Sequence, residues 1–597
     1  MAETVGDDLV ARLQEWGITR VYGYPGDGIN GILGAFRKSG DRPQFIQTRH
    51  EEMAAFMACA HAKFTGEVGV CMATSGPGAI HLLNGLYDAK LDHQPVVAIV
   101  GQTFATAMGG DQQQEVDLLS LYKDVAASYV QQVNVPSALR HCLDRALRIA
   151  AAEHTVTAVI VPGDVQDMKA AHQPQSLKSV HTGVGFVRDR GLPADEDLHR
   201  AADVLNAGRK VAILVGAGAL DATDEVIAVA DTLGAGIAKA LLGKAAVPDD
   251  VPFCTNSIGL LGTRPSWEMM QDADTLLVVG SSFPYGNFLP PLGQARGVQV
   301  DRSGRMLSLR YPMEVNLLGD SRATLQELLP LLKRNPDRSF QETIIKSVAD
   351  WWRLMDDRAE PEDRGENRIR PQALFASLSR HLPDNAIVSS DSGSAANWFA
   401  RHVRIRRGMK ASLSGNLATM VPGVPYAIAA KFAYPDRVAV GTIGDGAMQM
   451  GGMAELLTAA KYYKTWADPR LVLLVLNNED LNQVTWEQRV MEGDPKFAAS
   501  QDIPYVAFHE FARMIGLGSV KVDRSAQIED AMRQAFAADR PFVIDAMTDP
   551  EEPPLPPHIT VKQAQGFARS ALAEREASLP GVVNAMREKV DEFLPSR

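Results

Sequence analysis

An acidic turn in the last third of the chain has the residue types of a metal and phosphate site. Asp445, followed by Gly446 and Ala447, comes directly after an apolar stretch, and Asn478 follows a second apolar stretch. Carboxylate, amide and carbonyl oxygens suit a hard divalent cation, and glycine lets the backbone approach phosphate oxygens closely. The pattern predicts Mg²⁺ bound to phosphate, with Asp445, Asn478 and the carbonyl group of Asp480 as ligands. A Gly-Asp-Gly sequence taken alone also makes ordinary tight turns.

Two adjacent carboxylates, Glu51 and Glu52, follow His50 at the predicted start of a helix. A positioned carboxylate can hold or move a proton, as a general acid or base does. The same pair at a helix start can instead be solvated and interact with the helix dipole. From the residues alone, either carboxylate could be the acid–base group, and the dipole interpretation stays open.

The elements that would position these residues repeat one pattern in three segments. Apolar strands alternate with helices, which predicts an α/β fold of three doubly wound, mostly parallel sheets. The predicted strands are 20–24, 68–72 and 96–100 in the first segment, 210–215, 275–279 and 298–300 in the second, and 386–389, 437–443, 471–476 and 542–546 in the third. The first and third segments are candidates for distant copies of one sheet topology.

A chain of 597 residues exceeds what one hydrophobic core usually organises. The expected domains are 1–180, 190–335 and 370–550, followed by a tail at 551–597. Polar stretches at 164–185 and 356–370 are predicted to connect the domains. A helix is predicted at 582–594, and its mixed charges favour docking on the protein itself over contact with a membrane.

Composition excludes some classes of function. A net charge of −12 argues against binding nucleic acid, because the mean field repels phosphate. The four cysteines lack metal-site spacing, so we expect small buried side chains, no disulfide and no zinc. No positively charged leader or long apolar run is visible, which predicts a cytoplasmic protein.

Three motifs together resemble the thiamine diphosphate-dependent enzymes: Arg49-His50-Glu51, Gly444-Asp445-Gly446 and Asn477-Asn478. The resemblance covers almost the whole chain and is greatest to pyruvate oxidase and quinone-linked pyruvate dehydrogenase, with acetolactate synthase close behind. It implies that Glu51 bonds the aminopyrimidine ring of the cofactor and makes the cofactor's own nitrogen the base. It also implies an active site shared by two chains, and hence a homodimer that pairs into a homotetramer.

The resemblance also assigns cofactor contacts. Met420 matches the position of a large apolar side chain under the cofactor, although packing in the core is the alternative. Gly393 and Ser394 match a second diphosphate contact at a helix N-terminus, although a simple helix cap is the alternative. The implied thiamine diphosphate contacts are Glu51, Gly393, Ser394, Met420, Asp445, Gly446, Ala447, Asn478, Asp480 and Leu481.

Three further residues are placed at the substrate by the resemblance. These are Gln114, Gln483 and Glu487, the last two on one face of a helix that begins near Asn482. The chain departs from the pattern at Gln113, where the family usually has an aromatic residue, and Gln483 also stands where an aromatic is frequent. Two polar substitutions near one pocket favour an altered substrate.

The middle segment resembles the flavin-binding region of quinone-linked pyruvate dehydrogenase. The residues implied as FAD contacts are Gly216, Gly218, Phe283 and Asp301. The Gly-Ala-Gly sequence at 216–218 lacks the third glycine of a full dinucleotide motif, and such turns also occur in sheets that bind nothing.

The function expected from these residues is decarboxylation of a 2-oxo acid, pyruvate being favoured, with electron transfer through FAD to a quinone or to oxygen. One alternative is an acetolactate synthase-like carboligase in which FAD is structural or absent. A second alternative is a folded assembly subunit without catalysis. The intact Glu51, Asp445 and Asn478 argue against the second alternative.

Overall fold

A computed structural model describes residues 3–171, 180–187, 190–363, 367–554, 558 and 561–573. The chain divides into two compact units. The first unit comprises Met1–Arg188, Leu413–Gly441 and Met450–Leu471. The second unit comprises Asp189–Ser412, Thr442–Gln449 and Val472–Arg597.

The first unit is built on a six-stranded parallel sheet. Its strands are β1 (Arg20–Gly23), β2 (Gln44–Gln47), β3 (Gly69–Ala73), β4 (Val96–Gln102), β5 (Val130–Gln132) and β6 (Val156–Pro162). The order is β2-β1-β3-β4-β6-β5. Every residue of β3, β4 and β6 is buried, as expected for parallel strands covered on both faces. The accompanying helices are α1 (Val5–Glu15), α2 (Asn30–Lys38), α3 (Glu51–Thr65), α4 (Pro77–His81), α5 (Leu83–Leu91), α6 (Leu118–Leu121), α7 (Leu139–Glu153) and α8 (Gly163–Asp167).

Helix α3 is the central helix of the first unit. Nearly all of its side chains are buried, and most of them are small or apolar. It ends at Gly66, whose φ of 73° is a left-handed conformation that glycine adopts without strain. The helix therefore forms a rigid element with Glu51 at its first position.

The second sheet lies in the second unit. Its strands are β7 (Val211–Val215), β8 (Gly236–Lys239), β9 (Cys254–Ser257), β10 (Thr275–Val279), β11 (Arg296–Asp301) and β12 (Val315–Leu318). The order β12-β11-β10-β7-β8-β9 is that of a dinucleotide-binding fold, with the strand order reversing between β7 and β10. The helices of this segment are α9 (Asp195–Ala207), α10 (Thr223–Leu233), α11 (Arg264–Asp272), α12 (Ser321–Leu328) and α13 (Ser339–Arg358).

The third sheet uses the C-terminal part of the chain. Its strands are β13 (Ile387–Ser390), β14 (Lys410–Ser412), β15 (Ala439–Gly444), β16 (Leu471–Asn477), β17 (Gly518–Val522) and β18 (Phe542–Met547), in the order β14-β13-β15-β16-β18-β17. The helices along this segment are α14 (Pro371–His381), α15 (Ser394–His402), α16 (Gly423–Ala433), α17 (Asp445–Ala447), α18 (Met453–Tyr462), α19 (Asn482–Glu487), α20 (Ala498–Gln501), α21 (Phe508–Met514), α22 (Ile528–Ala537) and α23 (Val561–Ala573).

The first and third sheets have the same strand order, which confirms the expectation that they share one topology. The α/β class with three mostly parallel sheets is confirmed as well. All four cysteines are buried and none forms a disulfide. Within the described ranges, no helix combines the length and apolar character needed to cross a membrane.

The start of the linker expected at 164–185 was predicted wrongly, because the short helix α8 (Gly163–Asp167) includes residues 164–167. Gln166 looks polar in the sequence but is fully buried. Its Nε2 atom donates to the carbonyl oxygens of Gly28 at 2.7 Å and Val161 at 2.9 Å. The domain boundaries stay predictions, and the helix expected at 582–594 lies outside the described residues.

Candidate active site

Glu51 is the first residue of α3 and only 8% of its surface is exposed. Its Oε2 atom lies 3.0 Å from Nδ1 of His81, at the end of α4. The ring of His50 lies 4.4 Å from the ring of His81, measured between centroids. A helix N-terminus stabilises an ionised carboxylate, and the imidazole supplies a hydrogen-bond partner. This arrangement can hold a proton or accept one at a defined place.

Glu52, the neighbouring carboxylate, is held differently. Asn84 donates from Nδ2 to Glu52 Oε1 at 2.5 Å and to Oγ1 of Thr419 at 3.1 Å. Glu52 is therefore part of a polar link between α5 and the loop 415–421, within the first unit. The two carboxylates, which the sequence leaves equivalent, have distinct partners in the fold.

The tight turn after β3, Thr74–Gly76, and the start of α4 connect Glu51 with Gln114. Ser75 donates from Oγ to Oε1 of Gln114 at 2.8 Å. On the other side of the turn, a Cβ atom at Gly78 would lie 3.2 Å from Oε1 of Glu51. Gln114 itself has a φ of 64°, a left-handed conformation that is costly for a residue with a side chain. The structure thus brings Gln114 and Glu51 to one turn, while Gln113 is exposed.

The loop 415–421 carries Met420 in a strained backbone. Ala418 has a φ of 53° and Val421 a φ of 89°, which is unfavourable for a β-branched residue. The carboxylate of Asp92 fixes the start of the loop by accepting two backbone N–H groups at 2.8 Å each. Met420 is only partly buried, so core packing does not fully account for it.

Asp445 begins α17 after β15, in the second unit. Its Oδ2 atom accepts the N–H groups of Asn478 at 2.8 Å and Glu479 at 2.6 Å, and Oδ1 accepts that of Gly446 at 2.9 Å. Burial raises the pKa of Asp445 to about 7, against the effect of these hydrogen bonds. Among the described residues, no lysine, arginine or histidine pairs with this carboxylate. A buried anion without a cation fits the binding of a divalent metal ion.

The other predicted metal ligands lie beside Asp445. Asn478 is nearly buried, and its Oδ1 accepts the N–H group of Asp480 at 3.1 Å. The carboxylate of Asp480 has its own partners, Thr485 at 2.8 Å and Lys496 at 2.9 Å. Only the main-chain carbonyl of Asp480 is thus left as the predicted ligand. Leu481 follows, with its N–H bonded elsewhere, and Ala447 is buried.

The buried Asp445 predicts pH-dependent stability of the cofactor-free protein. Its folded pKa of about 7 exceeds the ordinary 3.8, so the folded form holds a proton that the unfolded chain has lost between these pH values. Stability therefore falls as the pH rises from about 4 to about 7 and stays lower above that. Asp445→Asn should abolish this loss, on the order of 2 to 4 kcal/mol. Thermal unfolding in EDTA at about pH 5 and about pH 8 measures it; an equal loss in both proteins contradicts the prediction.

Gly393 is the N-cap of α15 and has a φ of 80°. Among the described residues, the one neighbour within 4 Å of a Cβ atom built there is Cβ of Gln483, at 3.8 Å, so the space in front of the glycine is open. Ser394 then begins the helix, whose first N–H groups point outward. Open space at a helix N-terminus fits an anionic group such as phosphate.

Gln483 and Glu487 lie on one face of α19, as predicted. Nε2 of Gln483 donates to Oε1 of Glu487 at 2.9 Å. Nδ2 of Asn397, a buried residue of α15, donates to Oε1 of Gln483 at 2.9 Å. These bonds fix the orientation of the Gln483 amide. One of its two N–H groups donates to Glu487, and the other can donate to a further partner.

The residues predicted for FAD lie near the carboxyl edge of the second sheet. A Cβ atom at Gly216 would be 2.3 Å from the carbonyl oxygen of Gly280, and one at Gly218 would be 2.7 Å from its Cα. Close packing of two loops therefore explains both glycines without a cofactor. Asp301 ends β11 and accepts the N–H of Ser303 at 2.8 Å. Phe283 is buried after β10.

Three polar residues at these sites were not predicted from the sequence. They are His81, which contacts Glu51, Asn84, which binds Glu52, and Asn397, which orients Gln483. His81 and Asn84 are three positions apart in the sequence, a spacing that in one continuous helix puts polar groups on one face. That spacing could have pointed to both residues, although the structure places His81 at the end of α4 and Asn84 in α5.

Three family descriptions match the chain in order. The N-terminal TPP binding domain of thiamine pyrophosphate enzymes matches residues 3–121, the central domain residues 198–328, and the C-terminal TPP binding domain residues 391–546. Together they cover about two thirds of the chain. The chain belongs to the thiamine pyrophosphate enzyme family. Thiamine pyrophosphate is another name for thiamine diphosphate, so the cofactor implied by the sequence is supported.

Curated relatives align with nearly the whole chain. YdaP of Bacillus subtilis (strain 168), provisionally named as a thiamine pyrophosphate-containing protein, is 35% identical over 96% of this chain and 96% of its own. Pyruvate oxidase of Lactiplantibacillus plantarum is 30% identical over 92% of this chain and 89% of its own. The large subunit of acetolactate synthase isozyme 1 of Escherichia coli (strain K12) is 27% identical over 93% of this chain and 96% of its own. The protein is therefore a thiamine pyrophosphate enzyme of the pyruvate oxidase and acetolactate synthase group.

Proposed function

We propose that this protein decarboxylates a 2-oxo acid, with pyruvate the favoured substrate, and passes the electrons through FAD to a quinone or to oxygen. The observation that carries the proposal is the Glu51 carboxylate, nearly buried at the start of α3 and 3.0 Å from His81. Similarity over most of the chain to a protein named pyruvate oxidase supports the reaction class.

Each residue has one task in this proposal. Thiamine diphosphate, when bound, supplies the carbon that adds to the substrate and accepts electrons as carbon dioxide leaves. Asp445, Asn478 and the Asp480 carbonyl hold Mg²⁺ and through it the diphosphate. Glu51 hydrogen-bonds the aminopyrimidine ring and holds a proton there, and His81 keeps the Glu51 carboxylate in place.

Gln483 is proposed to contact the substrate side chain. Because Asn397 occupies its oxygen, Gln483 offers an N–H donor, which would allow the site to accept, besides pyruvate, a 2-oxo acid with a hydrogen-bond acceptor beyond the reacting carbons. Gln114 is the corresponding polar contact from the first unit, and Glu487 is a proton relay. Gln483 accounts for one of the two departures from the family's aromatic pattern, whereas the other, Gln113, is exposed.

Gln483→Leu should therefore change substrate preference. We expect kcat/KM for hydroxypyruvate to fall about 10-fold relative to pyruvate, because the variant leaves the substrate hydroxyl unpaired. Steady-state kinetics with both substrates measures the ratio. Val484→Leu is the matched control, since Val484 is an exposed neighbour on the same helix. An unchanged ratio in Gln483→Leu would remove this residue from substrate selection.

Binding of FAD is proposed at the second sheet. Support comes from the strand order and from Phe283 and Asp301 at the carboxyl edge, where such sheets bind ligands. The active site is proposed to require two chains, so we expect a homodimer or a homotetramer.

An acetolactate synthase-like carboligase is the second candidate. The observation that favours it is that loop packing alone explains Gly216 and Gly218, so a redox flavin is not required there. Incubation with ¹³C-labelled pyruvate under air, followed by NMR of the products, separates the two. Acetate is the product expected of the oxidase. Acetolactate as the main product would instead support the carboligase function. Release of no carbon dioxide from any 2-oxo acid would favour a non-catalytic subunit.

A further inference from the structure

A cavity of about 320 Å³ lies within the first unit, away from the residues discussed above. Trp16, Ile18, Leu147 and Phe186 give it apolar and aromatic walls. Arg20 and His61 also line it and supply polar groups. A volume of this size, with apolar walls and a few polar groups, is typical of a site for a small molecule.

Arg20 is the cationic group of the cavity. Within the part of the chain that the structure describes, it forms no ion pair, and its Nε atom is buried without a hydrogen bond. A guanidinium nitrogen that is buried without a hydrogen bond beside apolar walls is costly, and a carboxylate can bond the guanidinium through two parallel hydrogen bonds. Arg20 therefore points to an anionic ligand.

His61 supplies a second unsatisfied group. It lies on α3 with only 4% of its surface exposed, and its Nδ1 has no hydrogen-bond partner among the described residues. Its Nε2 lies 3.5 Å from the carboxylate of Glu67, a side chain that is 70% exposed at the rim. Burial lowers the pKa of His61, so the ring is neutral near neutral pH. Arg20 is therefore the positively charged side chain of the cavity to which an anion would bind.

The cavity lies at the edge of the first sheet opposite to Glu51 and Gln114. Arg20 begins β1, and Val68 and Pro95 stand just before β3 and β4. The turn Thr74–Gly76, by contrast, follows the carboxyl end of β3. A ligand in the cavity would not compete for the residues assigned to catalysis.

We propose that this cavity, named here the Arg20 cavity, binds a small carboxylic acid with an apolar or aromatic body, at a site separate from the catalytic residues. The carboxylate pairs with Arg20, and the body of the ligand packs against Trp16 and Phe186. The proposal does not depend on the reaction that the enzyme catalyses.

Isothermal titration calorimetry with 3-phenylpropanoate tests the proposal, using full-length protein saturated with thiamine diphosphate and Mg²⁺. We expect one site, and Arg20→Gln should weaken it at least about 10-fold, because a charge-assisted pair is lost. The neutral 3-phenylpropanamide should bind at least about 10-fold more weakly than the acid. Arg37→Gln, which removes an exposed arginine of α2, is the matched control and should leave binding unchanged.

A second variant tests the same site independently, in case Arg20→Gln does not fold. Ala151→Trp fills the cavity from its wall and should abolish binding while the melting temperature stays close to that of the parent protein. Binding that is equal in all variants would overturn the proposal, and so would the absence of binding to the parent protein at millimolar 3-phenylpropanoate. Loss of 3-phenylpropanoate binding in Arg20→Gln and in Ala151→Trp, with unchanged binding in Arg37→Gln, would establish the site.

Discussion

Glu51→Gln should lower kcat with a 2-oxo acid by about 100-fold or more and leave the fold intact. Glutamine keeps the size of the side chain and a hydrogen-bonding oxygen, but it cannot hold the proton that the carboxylate holds next to His81. Cofactor-saturated turnover, measured as carbon dioxide release, gives the effect. Circular dichroism and thermal unfolding should show no large change, since Glu51 makes few contacts that glutamine cannot replace.

Glu52→Gln is the matched control for this prediction. Glu52 accepts a hydrogen bond from Asn84, and the glutamine oxygen can accept the same bond. We expect turnover within a few-fold of the parent enzyme. If Glu52→Gln lost activity while Glu51→Gln kept it, the assignment of the two adjacent carboxylates would have to be reversed.

Asp445→Asn should weaken the Mg²⁺-dependent binding of thiamine diphosphate by on the order of 100-fold. The side chain keeps its shape, and its oxygen can still accept the N–H groups of Asn478 and Glu479. What is lost is the negative charge that makes the site attractive to a divalent cation. Equilibrium dialysis of thiamine diphosphate at several Mg²⁺ concentrations measures the change.

Asp494→Asn is a suitable control, because Asp494 is an exposed carboxylate of the same unit. Its removal should leave cofactor affinity unchanged. Cofactor binding by Asp445→Asn with parent affinity and parent dependence on Mg²⁺ would show that the metal is held elsewhere.

Much of the fold follows from the sequence, because the central strands are strongly apolar. Strands β4 and β16 were predicted nearly to their observed ends, since every residue in them is buried. Eight of the described strands were not predicted: β2, β5, β6, β8, β9, β12, β14 and β17. The edge strands β2, β5 and β17 are short and partly exposed, so their sequences lack a continuous apolar run. Strand β6, by contrast, is buried throughout, so polarity does not explain why it was missed.

The candidate site was only partly predictable. Glu51, Asp445 and Asn478 stand in recognisable sequence contexts at helix starts and strand ends. Their partners do not, because the contact between Asn397 and Gln483 joins residues distant in the chain. The strain at Gln114 and Val421 likewise depends on tertiary packing that no local pattern records.

The Arg20 cavity illustrates the same limit. Arg20 looks like an ordinary charged residue at the start of a strand, and His61 like an ordinary core histidine. Only the fold brings the two side chains to one cavity with Trp16 and Phe186.

Anaerobic titration of the purified protein with 2-oxo acids tests the central proposal most directly. We expect the visible flavin band to bleach on addition of pyruvate or a polar analogue, with carbon dioxide released in equal amount, and Glu51→Gln to bleach far more slowly. A protein without flavin, or one whose flavin stays oxidised while carbon dioxide is released, would contradict electron transfer through FAD.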